Sequence, residues 1–563
     1  MMVEQVITLI RNTMNMILFE RNNWLWMSFL AVLCLACGKS IGDLDEGKDD
    51  PKSSNITEVN VTTFKNSSKD DLEMIQKAID YARSNNIHKV FVPDGIYQIN
   101  AVGTFLMSGI LLRDGTQLRL SDKAILKAIP NSSSHYSIVT ANGVSNATIE
   151  GGTIQGERYE HTGTVGEGGM GITVASANNI TVKNITLKDC WGDGIYIRNS
   201  SKQITIDNVI ADNNRRQGMS VIAVDGLLVK NSIWKNTNGK NPMAGIDLEP
   251  NNTEDIIKNV QIINNQFLDN EALGLHIWGR HGQVRDVYVK DCVMSGSPGG
   301  LSMRHGYTSN ITVEDVVIIG STIRGVMIGE NSKQINIEGL KVTTADGMGI
   351  RVENAREVVM RNLDVRAHTS GISLSKDTLI RIENAKLKSM VNHVGNGIYG
   401  ANCDNITVSH TEVSGWSHGV NSVSLNYFTF SNSKVTGSSQ FGVFLSNNKY
   451  ALFENNVYTD NRQIAHYIRS GGDGMNQIIN NEFVDNGFET PNTYAQLTIA
   501  ESARKNTFSG NIFRTSSHTN KPKHAVLLDN STLNNVVTGN TFETGSYATS
   551  AVQDDANGQN QTN

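Results

Sequence analysis

A glycine followed by alternating apolar residues recurs along this chain every 22 to 29 residues between Gly171 and Gly442. Among the copies are Gly171-Ile-Thr-Val, Gly194-Ile-Tyr-Ile, Gly245-Ile-Asp-Leu and Gly349-Ile-Arg-Val. This alternation predicts a short β-strand with one buried face in each copy. Most copies follow a second short strand that ends in a polar residue, usually asparagine. Two strands and a turn asparagine per period therefore describe one coil of a solenoid.

A repeat of this length cannot bury its apolar face alone, so successive coils must stack on one another. Because every element is a strand, the pattern predicts a parallel β-helix. Leucine-rich repeats have a similar period, but the chain has no recurring Leu-x-x-Leu-x-Leu pattern and no helical segment in each unit. We expect the stacked turn asparagines to hydrogen-bond to one another along the solenoid axis.

The overall composition agrees with thin, tightly turning coils. The chain contains 51 glycines and only 8 prolines, and aromatic residues make up 6% of it. The formal net charge of −6 gives no support to a nucleic-acid partner.

The first 37 residues have the pattern of a secretory signal, in which Arg11 and Arg21 precede an apolar run at 24–36. The run ends in Leu35-Ala36-Cys37-Gly38, which resembles a bacterial lipoprotein lipobox with Cys37 as the lipidated residue. The resemblance implies a lipid-anchored protein of the bacterial cell envelope, in the outer membrane. An ordinary cleaved signal would instead imply secretion. Residues 38–66 are polar and acidic, which predicts a flexible tether.

An amphipathic helix is predicted ahead of the coils, with Leu72, Ile75 and Ile79 on its apolar face, and the strand Val90-Phe-Val-Pro-Asp-Gly-Ile-Tyr97 follows it. This pair resembles the N-terminal cap of the pectate-lyase-like right-handed parallel β-helix superfamily. The resemblance covers residues 67–545 and implies an all-β, right-handed parallel β-helix with an N-terminal capping helix. It implies a carbohydrate-active protein but leaves the reaction open. The polar residues 546–563 are predicted to form a disordered tail.

Candidate functional side chains should point out of the coils. If the residues one and three after each glycine are buried, those two and four after it face outwards. Because stacked coils lie about 4.8 Å apart, this rule predicts one patch from successive coils. The patch consists of Asp247, Glu249, His276, Trp278 and Arg304. The alternative interpretation is a ladder of surface ion pairs without function.

Further cations are predicted around this patch and favour an anionic ligand, which for a solenoid groove means an acidic polysaccharide. A lengthened segment before Gly245 would carry Lys240 over the patch. The predicted substrate-binding residues are Trp278, Tyr196, Arg198, Arg216, Lys240, Arg280 and Arg351.

The segment from Gly299 to Gly306 contains Arg304-His305-Gly306. It resembles the Arg-His-Gly segment of the β-helical lyase family that includes alginate lyases and chondroitinase B, in which this arginine lies in the active site. The resemblance also implies a lysine base one coil earlier and acidic residues that hold calcium. In this chain Trp278 occupies the outward position where the lysine is expected, so His276 is the candidate base.

The favoured reaction is cleavage of an acidic glycan by β-elimination, as in an extracytoplasmic polysaccharide lyase. Arg304, or calcium held by Asp247 and Glu249, would neutralise the uronate carboxylate. His276, His305 or Lys240 would remove the adjacent proton.

Three other functions stay open. An inverting glycoside hydrolase would use Asp247 and Glu249 as acid and base, and Trp278 would stack on a sugar ring. A C5-epimerase would share the proton abstraction of the lyase. A non-catalytic glycan-binding solenoid would keep the tryptophan and the arginines without needing paired carboxylates.

Overall fold

The computed structural model describes residues 57–563, apart from 66, 68, 69, 105, 471, 516 and 517. The predicted signal with Cys37 and the tether as far as residue 56 lie outside the described residues. The described part of the chain consists of parallel strands with one 3-10 helix, Val61–Phe64, and one α-helix, Leu72–Ser84. Within it, no helix combines the length and the apolarity that a membrane crossing needs.

One strand from each coil joins a sheet that carries the repeat glycines and is here called the glycine sheet. Its strands run parallel and in register, so that Ile195, Met219, Ile246 and Leu275 follow one another along the stack. The strands are Ile110–Leu111, His135–Asn142, Gly168–Ala175, Ile195–Arg198, Met219–Val221, Ala244–Leu248, Leu273–Trp278, Gly299–Arg304, Arg324–Gly329, Met348–Glu353, Ser370–Ser375, Asn396–Ala401, His418–Val423, Phe441–Ser446, Ile464–Arg469, Ala495–Ala500, His524–Leu528 and Ser550–Asp554.

The remaining strands form a 34-stranded parallel assembly, here called the asparagine sheet, which completes each coil. Its strands are Glu58–Asn60, Lys89–Val92, Gly95–Ile99, Gln117–Leu120, Ala124–Ala128, Ser145–Glu150, Thr153–Gln155, Asn178–Lys188, Ser201–Asp212, Val224–Lys230, Ile233–Lys235, Ile256–Ile263, Gln266–Leu268, Gln283–Lys290, Val293–Ser295, Thr308–Glu314, Val317–Ser321, Lys333–Glu338, Lys341–Thr344, Arg356–Ala367, Thr378–Ser389, Asp404–Ser409, Glu412–Ser414, Asn426–Ser431, Lys434–Thr436, Leu452–Glu454, Val457–Thr459, Gln477–Ile479, Glu482–Val484, Thr507–Ser509, Ile512–Arg514, Val536–Thr538, Thr541–Phe542 and Gln561–Thr562. The predicted parallel β-helix is confirmed.

The repeat glycines are required by the close approach of stacked coils. A Cβ atom on Gly194 would lie 2.6 Å from the backbone oxygen of Gly218, and one on Gly218 would lie 2.5 Å from that of Gly245. Such contacts are repulsive, so any side chain here would force neighbouring coils apart. In the coils from Gly171 to Gly442, the repeat glycine is therefore a packing requirement of the stack.

The interior of the coils holds the apolar residues that the alternation predicts, and Ile195 and Ile197 are fully buried there. The predicted asparagine stacking is also present. The Asn208 side chain donates a 2.9 Å hydrogen bond to Asn184 of the preceding coil. Inside the later coils Asn481 donates a 3.1 Å hydrogen bond to Asn511. These ladders satisfy polar groups at the turns, where the sheet hydrogen bonds are interrupted.

The solenoid extends beyond the predicted bounds at both ends. Within the predicted tether, Glu58–Asn60 pairs with Lys89–Val92 and Val59 is buried. Within the predicted disordered tail, Ser550–Asp554 pairs with His524–Leu528. Both predictions are wrong for these segments, because exposed strand edges of the terminal coils supply backbone partners that composition does not reveal.

The predicted N-terminal helix is present as Leu72–Ser84 and packs against the first strands. The backbone N–H of Leu72 donates a 2.9 Å hydrogen bond to the Asp70 carboxylate, which satisfies a donor at the helix start. The helix buries Met74, Ile75, Ala78, Ile79 and Ala82. Its role as a cap of the solenoid stays a prediction.

Candidate functional site

The register of the glycine sheet brings the predicted outward residues together. Ser220 pairs with Asp247, Asp247 with His276, and Trp278 with Arg304. Glu249 follows its strand directly, and its backbone N–H donates a hydrogen bond to the carbonyl of Val221 at 2.9 Å. The sequence rule therefore places these residues correctly on one outer face.

Asp247 points away from the core but is covered by other side chains, and its exposure to solvent is 0%. Gln217 donates a hydrogen bond of 2.5 Å to Oδ2 of Asp247. Nδ1 of His276 lies 3.1 Å from Oδ1 of Asp247, which is an ion-pair distance without hydrogen-bond alignment. The carboxylate is thus held by protein groups in place of water.

Arg216 stands at the centre of a cluster of carboxyl groups. Its guanidinium nitrogens lie 3.3 Å from Asp193, 3.2 Å from Glu167 and 3.9 Å from Glu249. Ser220 donates a 2.7 Å hydrogen bond to Asp193, which is also fully buried. Because one guanidinium serves several carboxyl groups, the cluster holds more negative than positive groups.

This imbalance changes the protonation of the cluster. Burial, followed by the charge of Asp247, raises the pKa of Glu249 to about 8. Burial raises the pKa of Asp193 to about 6, although Arg216 and Ser220 act in the opposite direction. At Arg216, burial acts to lower the pKa, but Asp193 and the other carboxylates outweigh it and raise the pKa. At neutral pH Glu249 therefore carries a proton while Asp193 is mainly ionised.

A groove of about 530 Å³ adjoins this cluster on the outer face of the glycine sheet. Its floor contains a small apolar group of Met170, Tyr196 and Ile222. The Arg198 guanidinium lies 5.7 Å from the centre of the Tyr196 ring. The residues that line the groove are His135, Glu167, Gly168, Met170, Tyr196, Arg198, Arg216, Ile222 and Asn251. An extended ligand in the groove would meet the carboxyl cluster at Glu167 and Arg216.

A second group of side chains lies one to two coils further along. The rings of Trp278 and His305 stack with centroids 5.2 Å apart, and His276 lies 4.9 Å from Trp278. Nδ1 of His305 is 2.7 Å from Glu330, which also pairs with Arg304. Burial, and then the charge of Arg304, lowers the pKa of His305 to about 4. Its imidazole is therefore neutral at physiological pH.

The other predicted cations do not gather into the positively charged patch that an anionic ligand would need. Lys240 reaches the cluster and lies 3.4 Å from Glu167. Arg280 is exposed and lowers the pKa of His305. Arg351 pairs with Glu353 at 2.7 Å and stands four coils from Asp247, about 19 Å away. Because Arg216, Lys240, Arg304 and Arg351 each pair with a carboxylate, they do not form a positive patch.

Three residues of the cluster were missed by the outward-position rule. Asp193 and Gln217 directly precede the repeat glycines Gly194 and Gly218, a position that the rule ignores. Glu167 comes from the long connection before Gly171. A polar residue directly before a repeat glycine is a signal that could have identified the first two.

The predicted calcium ligands do not fit a calcium site in this structure. Arg216 already supplies the positive charge beside Glu249, and the oxygens of Asp247 face Gln217 and His276. Across the described part of the chain, no group of three or more histidine, cysteine, aspartate or glutamate side chains could hold a metal ion. Calcium requires six to eight oxygen ligands, which this pair cannot approach.

Comparison with known families gives two matches. The family described as right handed beta helix region matches residues 107–286, 348–513 and 418–563. The family described as periplasmic copper-binding protein (NosD) matches residues 235–389. The first match confirms the predicted right-handed winding.

Individual relatives are distant. Uncharacterized protein YclG of Bacillus subtilis is 25% identical over 360 residues, which cover 57% of this chain and 60% of YclG. Plasmin and fibronectin-binding protein A of Streptococcus pneumoniae is 29% identical over 175 residues, which cover 27% of this chain and 22% of that protein. The match thus spans less than two thirds of either relative. Among solved structures, the crystal structure of PfbA, a surface adhesin of Streptococcus pneumoniae, is similar to this chain at 16% sequence identity and a TM-score of 0.45. The similarity covers 63% of this chain and 92% of the PfbA chain.

Proposed function

Because this chain belongs to the right-handed β-helix family, which hosts several functions on one scaffold, we propose its function from the site and not from the fold. We infer that it is an extracytoplasmic enzyme that cleaves the glycosidic bonds of a polysaccharide bound along the glycine sheet. The observation that carries the proposal is the cluster around Arg216, whose guanidinium lies 3.3 Å from Asp193 and 3.9 Å from Glu249 and also lines the groove.

Glu249 is the proposed general acid. Hydrolysis of a glycosidic bond requires a proton on the leaving oxygen, and a carboxyl group whose pKa is raised to about 8 carries that proton at neutral pH. The side chain of Glu249 is 23% exposed, whereas Asp193 and Asp247 are fully buried. Of these three carboxyl groups, Glu249 is therefore the one that can touch a substrate.

Asp193 and Asp247 would act through their charge. Cleavage builds positive charge on the sugar ring, and fixed carboxylates near that ring stabilise it. As the glycosidic C–O bond breaks and the leaving oxygen takes the proton of Glu249, a water bonds to the anomeric carbon, and the proton that this water releases restores the acid form of Glu249. Asp247 is fully buried, so it cannot hold a water against a sugar and act with Glu249 as an inverting pair. The proposed inverting assignment is replaced by one acid with supporting carboxylates, held in place by Arg216 and Gln217.

The β-elimination reaction is the second candidate. It is favoured by His305, because a neutral imidazole can accept the proton that β-elimination removes. His305 stacks on Trp278 and directly follows Arg304, the last residue of its strand. However, Arg304 already pairs with Glu330 and would have to exchange this partner for a uronate carboxylate. The carboxyl cluster needs no such exchange, which is why we favour hydrolysis.

The test is to incubate the protein separately with alginate, polygalacturonate, hyaluronan, xylan and dextran, and to follow reducing ends and ultraviolet absorbance together. New reducing ends without an increase in absorbance would support hydrolysis. An increase in both would mean an unsaturated product and would favour the lyase. Binding without new ends would instead place the protein with non-catalytic glycan-binding solenoids.

The matched variants are Glu249→Gln and Glu353→Gln. Both remove a carboxylate from the outer face of the glycine sheet, but Glu353 pairs with Arg351 outside the cluster. Loss of the general acid should lower the rate by about 100-fold or more, and the control should retain activity. Equal activity of the two variants would exclude Glu249 as the acid.

The place of action is part of the proposal. A polysaccharide-cleaving solenoid meets its substrate outside the cytoplasm, and the predicted signal ending at Cys37 supports that place. Palmitate labelling of the expressed chain and of Cys37→Ser would separate a lipid-anchored envelope protein from a secreted one. Labelling lost in the variant supports the anchor, and absence of labelling in both supports secretion.

A further inference from the structure

One residue in each coil of the asparagine sheet has left-handed backbone geometry at the same place in the stack. Before Leu379 this residue is glycine or polar, as at Asn259, Asp286 and Asn310, whose φ angles are 56°, 57° and 53°, and also at the longer Gln334 and Glu357. Asparagine and aspartate tolerate this conformation better than other residues that carry a side chain. The column therefore holds no apolar side chain before Leu379.

Large apolar residues take over this position in later coils. They are Leu379, Tyr427, Tyr450 and Met475, with φ angles of 59°, 53°, 58° and 49°. The register aligns the residues that precede Leu379, Asn405, Tyr427 and Tyr450, so these four stand on successive coils. Asn405 is the only small residue between Leu379 and Met475 in this column of the described chain.

The backbone strain at these four residues is not offset by burial of their side chains. Bulky side chains in left-handed backbone are strained, and Leu379, Tyr427, Tyr450 and Met475 are 51%, 51%, 42% and 38% exposed. A side chain that lies half in water returns little of the free energy that burial would give. Strain combined with an exposed apolar column indicates a binding surface.

The shape of this surface is a slot one ring wide. Tyr450 covers one face of the Tyr427 ring, with centroids 5.0 Å apart and an angle of 11° between the planes. On the other side of Tyr427 comes the short Asn405 and then Leu379, two coils or about 9.6 Å away. A ring between two walls needs about 7 to 8 Å, because each non-bonded contact takes 3.5 to 4.0 Å. The groove at this place has a volume of about 500 Å³.

Polar groups line the base of the same slot. Arg381, Thr407 and Thr429 stand on successive coils of the asparagine sheet, and all three line the groove together with Asn405. Hydroxyl and amide groups at the base of an aromatic wall match a sugar, which has an apolar C–H face and polar hydroxyl groups at its edge.

We propose that Leu379, Asn405 and Tyr427 form a second binding site, which holds one pyranose ring of a polysaccharide against the Tyr427 face. Thr407 and Thr429 form hydrogen bonds with the hydroxyl groups of that ring. The site lies on the asparagine sheet, whereas the carboxyl cluster lies on the glycine sheet. It therefore does not depend on the proposed reaction, and it would keep a polymer attached while another part of that polymer is bound elsewhere.

The test uses native electrophoresis of the full chain carrying Glu249→Gln, in gels that contain alginate, polygalacturonate, hyaluronan, xylan or dextran. At least one polymer should retard the parent chain. Tyr427→Ala should weaken that binding by up to about tenfold, and Asn405→Trp should do the same by filling the slot. Tyr427→Phe keeps the ring and should migrate like the parent. Because Glu249→Gln is present throughout, the result is independent of whether the chain cleaves glycans.

Parent-like migration of Tyr427→Ala and Asn405→Trp in every gel would overturn the proposal, as would a parent that no polymer retards. Size-exclusion chromatography provides a check for a protein occupant. Self-association that Tyr427→Ala abolishes, without polymer binding, would assign the column to a second copy of the chain and would also overturn it.

A second variant separates function from structure. Tyr427→Asn places a favoured residue in the left-handed position, so its Tm should equal or exceed that of the parent while polymer binding weakens. A lower Tm with unchanged binding would show that Tyr427 serves the fold and would overturn the proposal.

Discussion

Replacing Glu249 by glutamine should stabilise the protein at neutral and mildly alkaline pH. The pKa of this carboxyl is raised from 4.5 to about 8, chiefly by burial and then by Asp247. Between these two pH values the folded chain holds a proton that the unfolded chain has released, so stability falls as pH rises through this window. Glutamine has a similar shape and no charge to lose.

The expected magnitude follows from the shift. A difference of about 3.5 pKa units corresponds to at most about 4.8 kcal/mol at 1.36 kcal/mol per unit. The side chain is 23% exposed, and solvent screening lowers this figure. We expect Glu249→Gln to raise the free energy of unfolding by about 2 to 3 kcal/mol at pH 8. Near pH 4 we expect no gain, because the Glu249 carboxyl of the parent is then protonated in both the folded and the unfolded chain.

The assay is urea unfolding of the parent, Glu249→Gln and Glu353→Gln at several pH values between 4 and 8.5. The free-energy difference between Glu249→Gln and the parent should grow steadily across this range. The control breaks the pair with Arg351 and should lose stability or leave it unchanged. A difference that is flat with pH, or a loss at pH 8, would refute the inference that Glu249 is protonated in the folded protein.

Three further perturbations test the packing and the charges. Gly218→Ala places a Cβ 2.5 Å from a backbone oxygen of the next coil and should lower the free energy of unfolding by about 1 to 3 kcal/mol, measured as a lower Tm. Gly472→Ala is the control, because a Cβ there meets nothing within 4 Å, and it should keep the Tm of the parent. Burial lowers the pKa of His466 to about 3, and neither ring nitrogen is hydrogen-bonded, so the folded chain loses stability as pH falls below about 6.5. His466→Leu should therefore raise Tm, most of all near pH 4, and an unchanged acid profile would contradict this. Arg216→Ala leaves Asp193 buried without its cation and should cost about 3 to 5 kcal/mol, of which Arg216→Lys should recover part in the same melting assay.

The outer patch shows how far strand alternation can be used to locate a site. Asp247, His276, Trp278 and Arg304 are neighbours as predicted, because the register of stacked coils repeats the position relative to each glycine. The same alternation gives no information on what covers a side chain. Asp247 was expected at the surface and is instead enclosed by Gln217 and its neighbours.

The expectation of a cationic groove failed for a related reason. Arginines and lysines can be counted in a sequence, but their partners are set by three-dimensional contacts. Arg216 meets carboxylates that lie between 23 and 49 residues away along the chain, at Asp193, Glu249 and Glu167. Pairing converts predicted positive charge into a cluster with excess carboxyl groups, which is what raises the pKa of Glu249.

The sequence by itself determined the solenoid, its glycine positions, its asparagine ladders and the face on which the candidate site lies. Each of these is a local rule repeated once per coil, so that periodicity alone reveals it. The tertiary structure decided which residues from loops and from positions before the glycines complete the site, and which charges cancel. Those contacts join coils whose connections differ in length, and burial then sets the protonation of the groups that meet there.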